Sequence, residues 1–140
     1  MMALELNRVV HLVEDCEADS LAFARALHSI APDASLLQWK RVGDVLRSLD
    51  QSCVRPPGIF FIDLGLPGLD GHQLLRHLRE HPQTRLDPVI MMSGSHRESN
   101  TVRSFRLGAQ GHLLKPVDAR KLQQMLHRCL SYWLECSLLP

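Results

Sequence analysis

Five polar residues follow short apolar runs in this sequence, and their types suit one kind of chemistry. Glu14 and Asp15 come after the run Val9–Val13, Asp63 after 59–62, Ser93 after 89–92 and Lys115 after 112–114. Three carboxylates brought together repel one another unless a cation neutralises them. Hard oxygen donors without His or Cys select Mg²⁺, which favours a few carboxylates together with phosphate oxygens. The backbone carbonyl of Gly65, just beyond Asp63, is a further candidate ligand. Beside such an ion, Asp63 suits the role of a nucleophile that forms an aspartyl phosphate. The Lys115 ammonium and the Ser93 hydroxyl would then supply charge and a hydrogen bond to the transferred oxygens.

These residues act together only if the runs that carry them lie side by side. The apolar runs Val9–Val13, Ser35–Trp39, 59–62, 89–92 and 112–114 recur about every 26 residues, the spacing of strands that return parallel after a helix. The first, third and fourth are continuously apolar, as strands covered on both faces are. Between them the periodicity is helical. A first helix from Ala18 has an apolar stripe through Leu21, Ala24 and Leu27–His28. Val42, Val45, Leu46 and Leu49 mark a second, ended by the Pro56-Pro57-Gly58 breaker. Leu74, Leu75 and Leu78 mark a third, with Asp70 as its cap after turns at Pro67-Gly68 and Asp70-Gly71. The fourth spans 98–107, with Val102 and Phe105 inward and Gly108 as its stop. The last begins at Asp118, a candidate N-cap, and carries Leu122, Met125, Leu126, Cys129, Leu130 and Trp133. The expected architecture is therefore α/β: a five-stranded doubly wound parallel sheet of order 2-1-3-4-5 with five helices, the flavodoxin-like arrangement. Ligands of such sheets bind beyond the carboxyl ends of the strands, where all five polar residues fall.

Composition narrows the setting. A chain of 140 residues fits one domain, 1–140, and can bury a sizeable core. Sixteen Lys and Arg against fifteen Asp and Glu leave a net charge of +1, without the basic excess of a nucleic-acid binder. No apolar run approaches the ~20 residues that cross a bilayer, and the N-terminus does not read as a signal peptide. A cytoplasmic protein with no membrane or nucleic-acid partner is expected. Cys16, Cys53, Cys129 and Cys136 have no zinc spacing and are expected to be reduced thiols filling apolar space.

The stretches HLVEDCEAD, FFIDLGLPGLDG, VIMMSGS and GHLLKPVD resemble, in order, the four signatures of response-regulator receiver domains of two-component signalling. The resemblance implies the receiver fold, Asp63 as phosphoacceptor, and Mg²⁺ held by Glu14, Asp15 and Asp63. It also implies Ser93 as the hydroxyl that moves toward the phosphoryl group, Lys115 as its ionic partner, and a cis peptide bond before Pro116. The ending YWLECSLLP is similar to that of single-domain receivers paired with phytochrome-type histidine kinases. This implies a complete chain without an output domain and a sensor histidine kinase as phosphodonor. It further implies a homodimer through the side formed by the fourth helix, fifth strand and fifth helix.

Some positions depart from the family pattern. Gly65 stands two residues after the phosphoacceptor, where a polar or bulkier side chain is common, and Gly94 and Ser95 follow Ser93. An unusual dephosphorylation rate is expected. His112 stands where the family has the Tyr or Phe of a rotamer switch. It reads either as a ring of similar size or as a group whose protonation near neutral pH tunes that switch. His72, His77 and His81 read as a solvated face, Cys129 and Cys136 as core or dimer-contact filler, and Tyr132, Trp133 and Leu134 as a patch for self-association. Glu14 and Asp15 alone would read as helix-capping acids. Two other functions fit less well. An aspartyl-phosphate phosphatase or phosphotransferase commonly has a second acid where Gly65 stands. A phosphorylation-independent adaptor has no need of the intact set.

Overall fold

The computed structural model describes residues 8–51, 58–65, 70–95 and 97–137. Cys53, the Pro56-Pro57 breaker, the Pro67-Gly68 turn and residues 138–140 of the tail lie outside them. Strands β1 (Val9–Val13), β2 (Ser35–Trp39), β3 (Gly58–Asp63), β4 (Val89–Ser93) and β5 (Gly111–Leu114) alternate with helices α1 (Glu17–Ile30), α2 (Val42–Leu49), α3 (Gly71–Glu80), α4 (Glu98–Arg106) and α5 (Ala119–Ser131). The strands pair parallel in the order β2-β1-β3-β4-β5, as the alternation of runs and amphipathic stretches predicts. No helix among the described residues is long and apolar enough to cross a membrane.

Every residue of β3 and β4 is buried, because helices cover both faces of the sheet. Side chains alternate between those faces. Val10, Leu12, Ile59, Phe61, Ile90 and Met92 pack with residues of α1 and α5, among them Phe23, Leu27, Leu122, Leu126 and Leu130. Val13, Phe60, Ile62, Val89 and Met91 pack on the other face with Val42, Val45, Leu74, Leu75 and Leu78. The same alternation decides where the polar ends point. Asp63 continues the α1/α5 face of β3, whereas Ser93 continues the opposite face of β4. Register pairs Asp63 with Met92 and Ser93 with Leu114, so both stand at the carboxyl rim.

Two helices present faces other than those expected. On α1 the buried residues are Phe23, Ala26 and Leu27, while Leu21 is 51% exposed. The stripe is set by Phe23, whose ring meets Phe61 edge-on at 5.0 Å. On α4, Val102 and Phe105 point outward, and the buried residue is Ser104. The space beneath α4 holds the imidazoles of His72 and His112, so its inner face takes a hydroxyl. Beyond α5 the chain makes a π-helical turn over Tyr132–Cys136, with Leu134 buried. The Leu134 carbonyl accepts a 2.6 Å hydrogen bond from Arg8. Trp133 is half-buried against the α1/α5 core, which leaves Tyr132 as the exposed ring of the pair. Cys129 packs against that core, but Cys16 and Cys136 are exposed rather than buried filler.

Gly108 ends α4 with φ +97°, a conformation that strains any residue with a Cβ. A Cβ there would also lie 3.1 Å from Nε of Arg79, whose guanidinium bonds the carbonyls of Gly108 and Asp87. Gly108→Ala is therefore expected to lower stability by about 1–3 kcal/mol, measured as a lower urea midpoint at unchanged m-value.

Candidate functional site

The site is built where β1, β3 and β5 end. Glu14 follows β1 and is almost wholly buried, and its backbone N–H is held by the Trp39 carbonyl of the neighbouring strand at 2.9 Å. Asp15, next in sequence, is exposed. Asp63 closes β3 at 5% exposure, and its Oδ1 accepts from the Gly65 N–H at 3.0 Å. Lys115 follows β5, with its backbone N–H tied to the Ser93 carbonyl at 2.8 Å. From the sheet edge its Nζ reaches Asp63 Oδ2 at 3.1 Å, Glu14 Oε1 at 3.0 Å and Asp19 Oδ2 at 2.9 Å. The structure thus brings Glu14, Asp15, Asp63, Gly65 and Lys115 together.

Asp19 went unrecognised in the sequence. It lies in the first turn of α1, where an acid is the ordinary complement to the helix dipole and carries no distinguishing signal. Only the approach of Lys115 separates it from Glu17 in the same turn.

Electrostatically the cluster is short of positive charge. Burial, reinforced by the neighbouring Asp63, pushes the Glu14 carboxyl up to about 9. Burial also acts to raise Asp63, but the neighbouring Glu14 carboxyl, the Gly65 N–H and Lys115 outweigh it and hold that carboxylate below its usual range. Burial disfavours the charge on Lys115, yet Asp19, Glu14 and Asp63 together raise its affinity for the proton. A proton on Glu14 therefore supplies the neutralisation that one ammonium cannot. Among the described residues Glu14 Oε2 is a buried oxygen without a hydrogen-bond partner. One oxygen from each of Glu14, Asp15 and Asp63 lies within 4.8 Å of the others. An all-oxygen set with an orphaned buried atom fits a hard divalent cation.

Ser93 stands on the rim, but its hydroxyl is turned from the acids. Its Oγ meets the Ser95 carbonyl at 3.1 Å and His112 Nε2 at 3.0 Å. His112 Nδ1 in turn meets Ser104 Oγ at 2.9 Å. His72 is not part of a solvated face: it is 2% exposed, with Nε2 2.8 Å from the same Ser104 Oγ. His77 is exposed, whereas half-buried His81 bonds the Leu49 carbonyl, so the three histidines form no cluster. Burial pushes the Cys129 thiol up to about 11, unlike a reactive thiolate.

The cis bond expected before Pro116 is not found. The peptide bond before Pro116 is trans, as is every other among the described residues. Trans is the lower-energy isomer of an X–Pro bond, and the three carboxylates aim the Lys115 side chain.

The raised Glu14 carboxyl makes stability depend on pH. Its folded value of about 9 lies above the ordinary 4.5, so the folded state holds the proton more tightly. This contribution is complete below 4.5 and lost as pH rises toward 9. Without metal, thermal melts of Glu14→Gln should fall less steeply than wild type over that window.

Comparison with known proteins agrees with this geometry. The family model described as the response regulator receiver domain matches residues 10–127. The response regulator Rcp1 of Synechocystis sp. is 28% identical over 137 residues, covering 95% of this chain and 93% of Rcp1. The crystal structure of Mn²⁺-bound Rcp1 superposes with a TM-score of 0.86 at 29% identity, covering 94% of this chain and 98% of that one. That of phosphorylated RcpA, a cyanobacterial phytochrome response regulator, superposes with a TM-score of 0.87 at 25% identity over 94% and 97% of the two chains. With the family match spanning most of its length, the chain belongs to the response regulator receiver domains.

Proposed function

We propose that the protein is a phosphoacceptor switch in which Asp63 takes a phosphoryl group from the phosphohistidine of a sensor histidine kinase. The observation that carries this reading is the placement of Asp63: one oxygen rests on the Gly65 N–H and the other on Lys115, with two further acids within ligating distance of a shared point. In the reaction an Asp63 carboxylate oxygen attacks phosphorus, the P–O bond forms and the P–N bond to the donor imidazole breaks. The leaving imidazole keeps the bonding pair and takes a proton from solvent. Lys115, already on Asp63 Oδ2, can shift its bond to a phosphoryl oxygen. The Ser93 hydroxyl, turned from its present partners, donates to another. Mg²⁺ held by Glu14, Asp15, Asp63 and the Gly65 carbonyl would offset the charge of the incoming group. A Cβ at position 65 would lie 3.5 Å from Asp63 Oδ1, so glycine leaves the approach over the carboxylate open to water. The protein acts on its own acyl phosphate rather than on an external substrate. Similarity to Rcp1 and RcpA supports a phytochrome-type kinase as the donor.

The output is a protein contact. Val102 and Phe105 on α4, Leu114 on β5 and Val117 before α5 are each at least 40% exposed, giving the α4-β5-α5 side an apolar surface. That surface suits a homodimer whose equilibrium follows the state of Asp63.

Intact mass after incubation with acetyl phosphate and Mg²⁺ is expected to rise by one phosphoryl group in wild type. Asp63→Asn, or omission of Mg²⁺, should show no gain. A gain in Asp63→Asn would contradict the assignment. In sedimentation the phosphorylated protein should self-associate, and Phe105→Asp should weaken association at least tenfold while leaving phosphorylation intact. A monomer in every state would exclude the dimer.

A further inference from the structure

Behind Ser93 a row of polar side chains runs through the α4 side of the sheet: Ser93 Oγ, the His112 ring, Ser104 Oγ and the His72 ring, at successive separations of 3.0, 2.9 and 2.8 Å. Ser104 has no exposed surface, and His72 lies in the first turn of α3. The row ends against Asp70, which caps α3 through the His72 N–H and meets Arg103 of α4 at 3.2 Å.

Proton counting allows this row two directions. Each serine hydroxyl has one proton to donate, and a neutral imidazole donates from one nitrogen and accepts at the other. Burial holds the His72 imidazole below its ordinary value, against the opposing effect of Asp70, so it is neutral in this site. Two arrangements with neutral rings join the row, and each leaves out one flanking carbonyl. In one, Ser93 donates to His112 Nε2, His112 Nδ1–H to Ser104 and Ser104 to the Asn100 carbonyl, leaving out the Ser95 carbonyl. The other leaves out the Asn100 carbonyl. In it, Ser93 donates to the Ser95 carbonyl, His112 Nε2–H to Ser93, Ser104 to His112 Nδ1, and His72 Nε2–H to Ser104. If Ser93 turns away, His112 Nε2–H loses this acceptor. A shift of the His112 proton to Nδ1 then makes Ser104 the acceptor, and the Ser104 hydroxyl turns to the Asn100 carbonyl, 3.0 Å away.

Resting on the phosphoacceptor reading and extending it, we propose that His112, Ser104 and His72 are positioning residues that hold the Ser93 hydroxyl away from Asp63 and carry its reorientation to the α3–α4 junction. The two-state element is the Ser93 rotamer. With Ser93 bonded to the Ser95 carbonyl His112 carries its proton on Nε2, with Ser93 turned to Asp63 it carries it on Nδ1, and each tautomer sets the direction of the Ser104 hydroxyl beside His72. The junction at Asp70 and Arg103 thereby senses the site without touching it.

Imidazole nitrogen shifts, read by NMR at neutral pH with and without beryllofluoride and Mg²⁺, test this directly. Fluorine NMR in the same samples reports bound beryllofluoride. In wild type, binding should shift the nitrogens of both His112 and His72, with exposed His77 of α3 unmoved. In Ser104→Ala the His112 response should persist and the His72 response should vanish. His112→Phe breaks the row one link earlier without burying a new polar group. It should also abolish the His72 response, and it should bind beryllofluoride about two- to tenfold tighter because Ser93 is no longer held back. Bound fluoride with an unmoved His72 in wild type, a persisting His72 response in either variant, or unchanged affinity in His112→Phe would overturn the inference and leave the phosphoacceptor reading standing. Absence of bound fluoride in wild type would overturn both.

Discussion

The rim of the sheet is organised by one buried cation. Lys115 Nζ sits about 3 Å from oxygens of Glu14, Asp19 and Asp63, and its side chain is only 12% exposed. Charges removed from water at this depth are tolerated only when paired and hydrogen-bonded. Lys115 arrives from the edge strand and ties together residues supplied by β1, α1 and the central strand β3. The acids around it outnumber it, and a proton on Glu14 makes up part of the difference. Such a cluster is poised for a further cation, because binding relieves repulsion already present rather than creating a new interaction from nothing.

The alternation of side chains in parallel strands divides the proposed switch between two compartments. Asp63 belongs to the α1/α5 face, where Glu14, Asp19 and Lys115 gather. Ser93 belongs to the face packed against α3 and α4, where its hydroxyl meets His112 rather than the acids. The polar interior beneath α4 gives this hydroxyl its partners, the Ser95 carbonyl and the His112 ring, apart from the acids. The same polar interior explains why α4 spends Val102 and Phe105 on the outside: its inner face has to accommodate two imidazoles through Ser104.

Strands and their order were legible because apolar runs in a doubly covered sheet contrast strongly with flanking turns. Glu14, Asp15, Asp63 and Lys115 were legible because polar residues that end such runs must meet at one rim. Other features were hidden because their meaning lies in three dimensions. Asp19 looks like any acid in a first helical turn, and Ser104 like a weak helix residue, until the partners across the sheet are known. His72 lies on the same helix as the exposed His77 and differs from it in the face it occupies. The buried faces of α4 and α1 differ from the expected ones for the same reason: helical periodicity locates a stripe, but the facing elements decide its phase.

Thermal unfolding of Lys115→Met with and without Mg²⁺ tests most directly whether charge balance at this rim governs the site. Removing the ammonium should destabilise the metal-free protein by about 3–5 kcal/mol, and Mg²⁺ should recover most of that loss, shifting the variant more than the wild type. A variant as stable as wild type without metal, or one that Mg²⁺ fails to stabilise, would contradict the account.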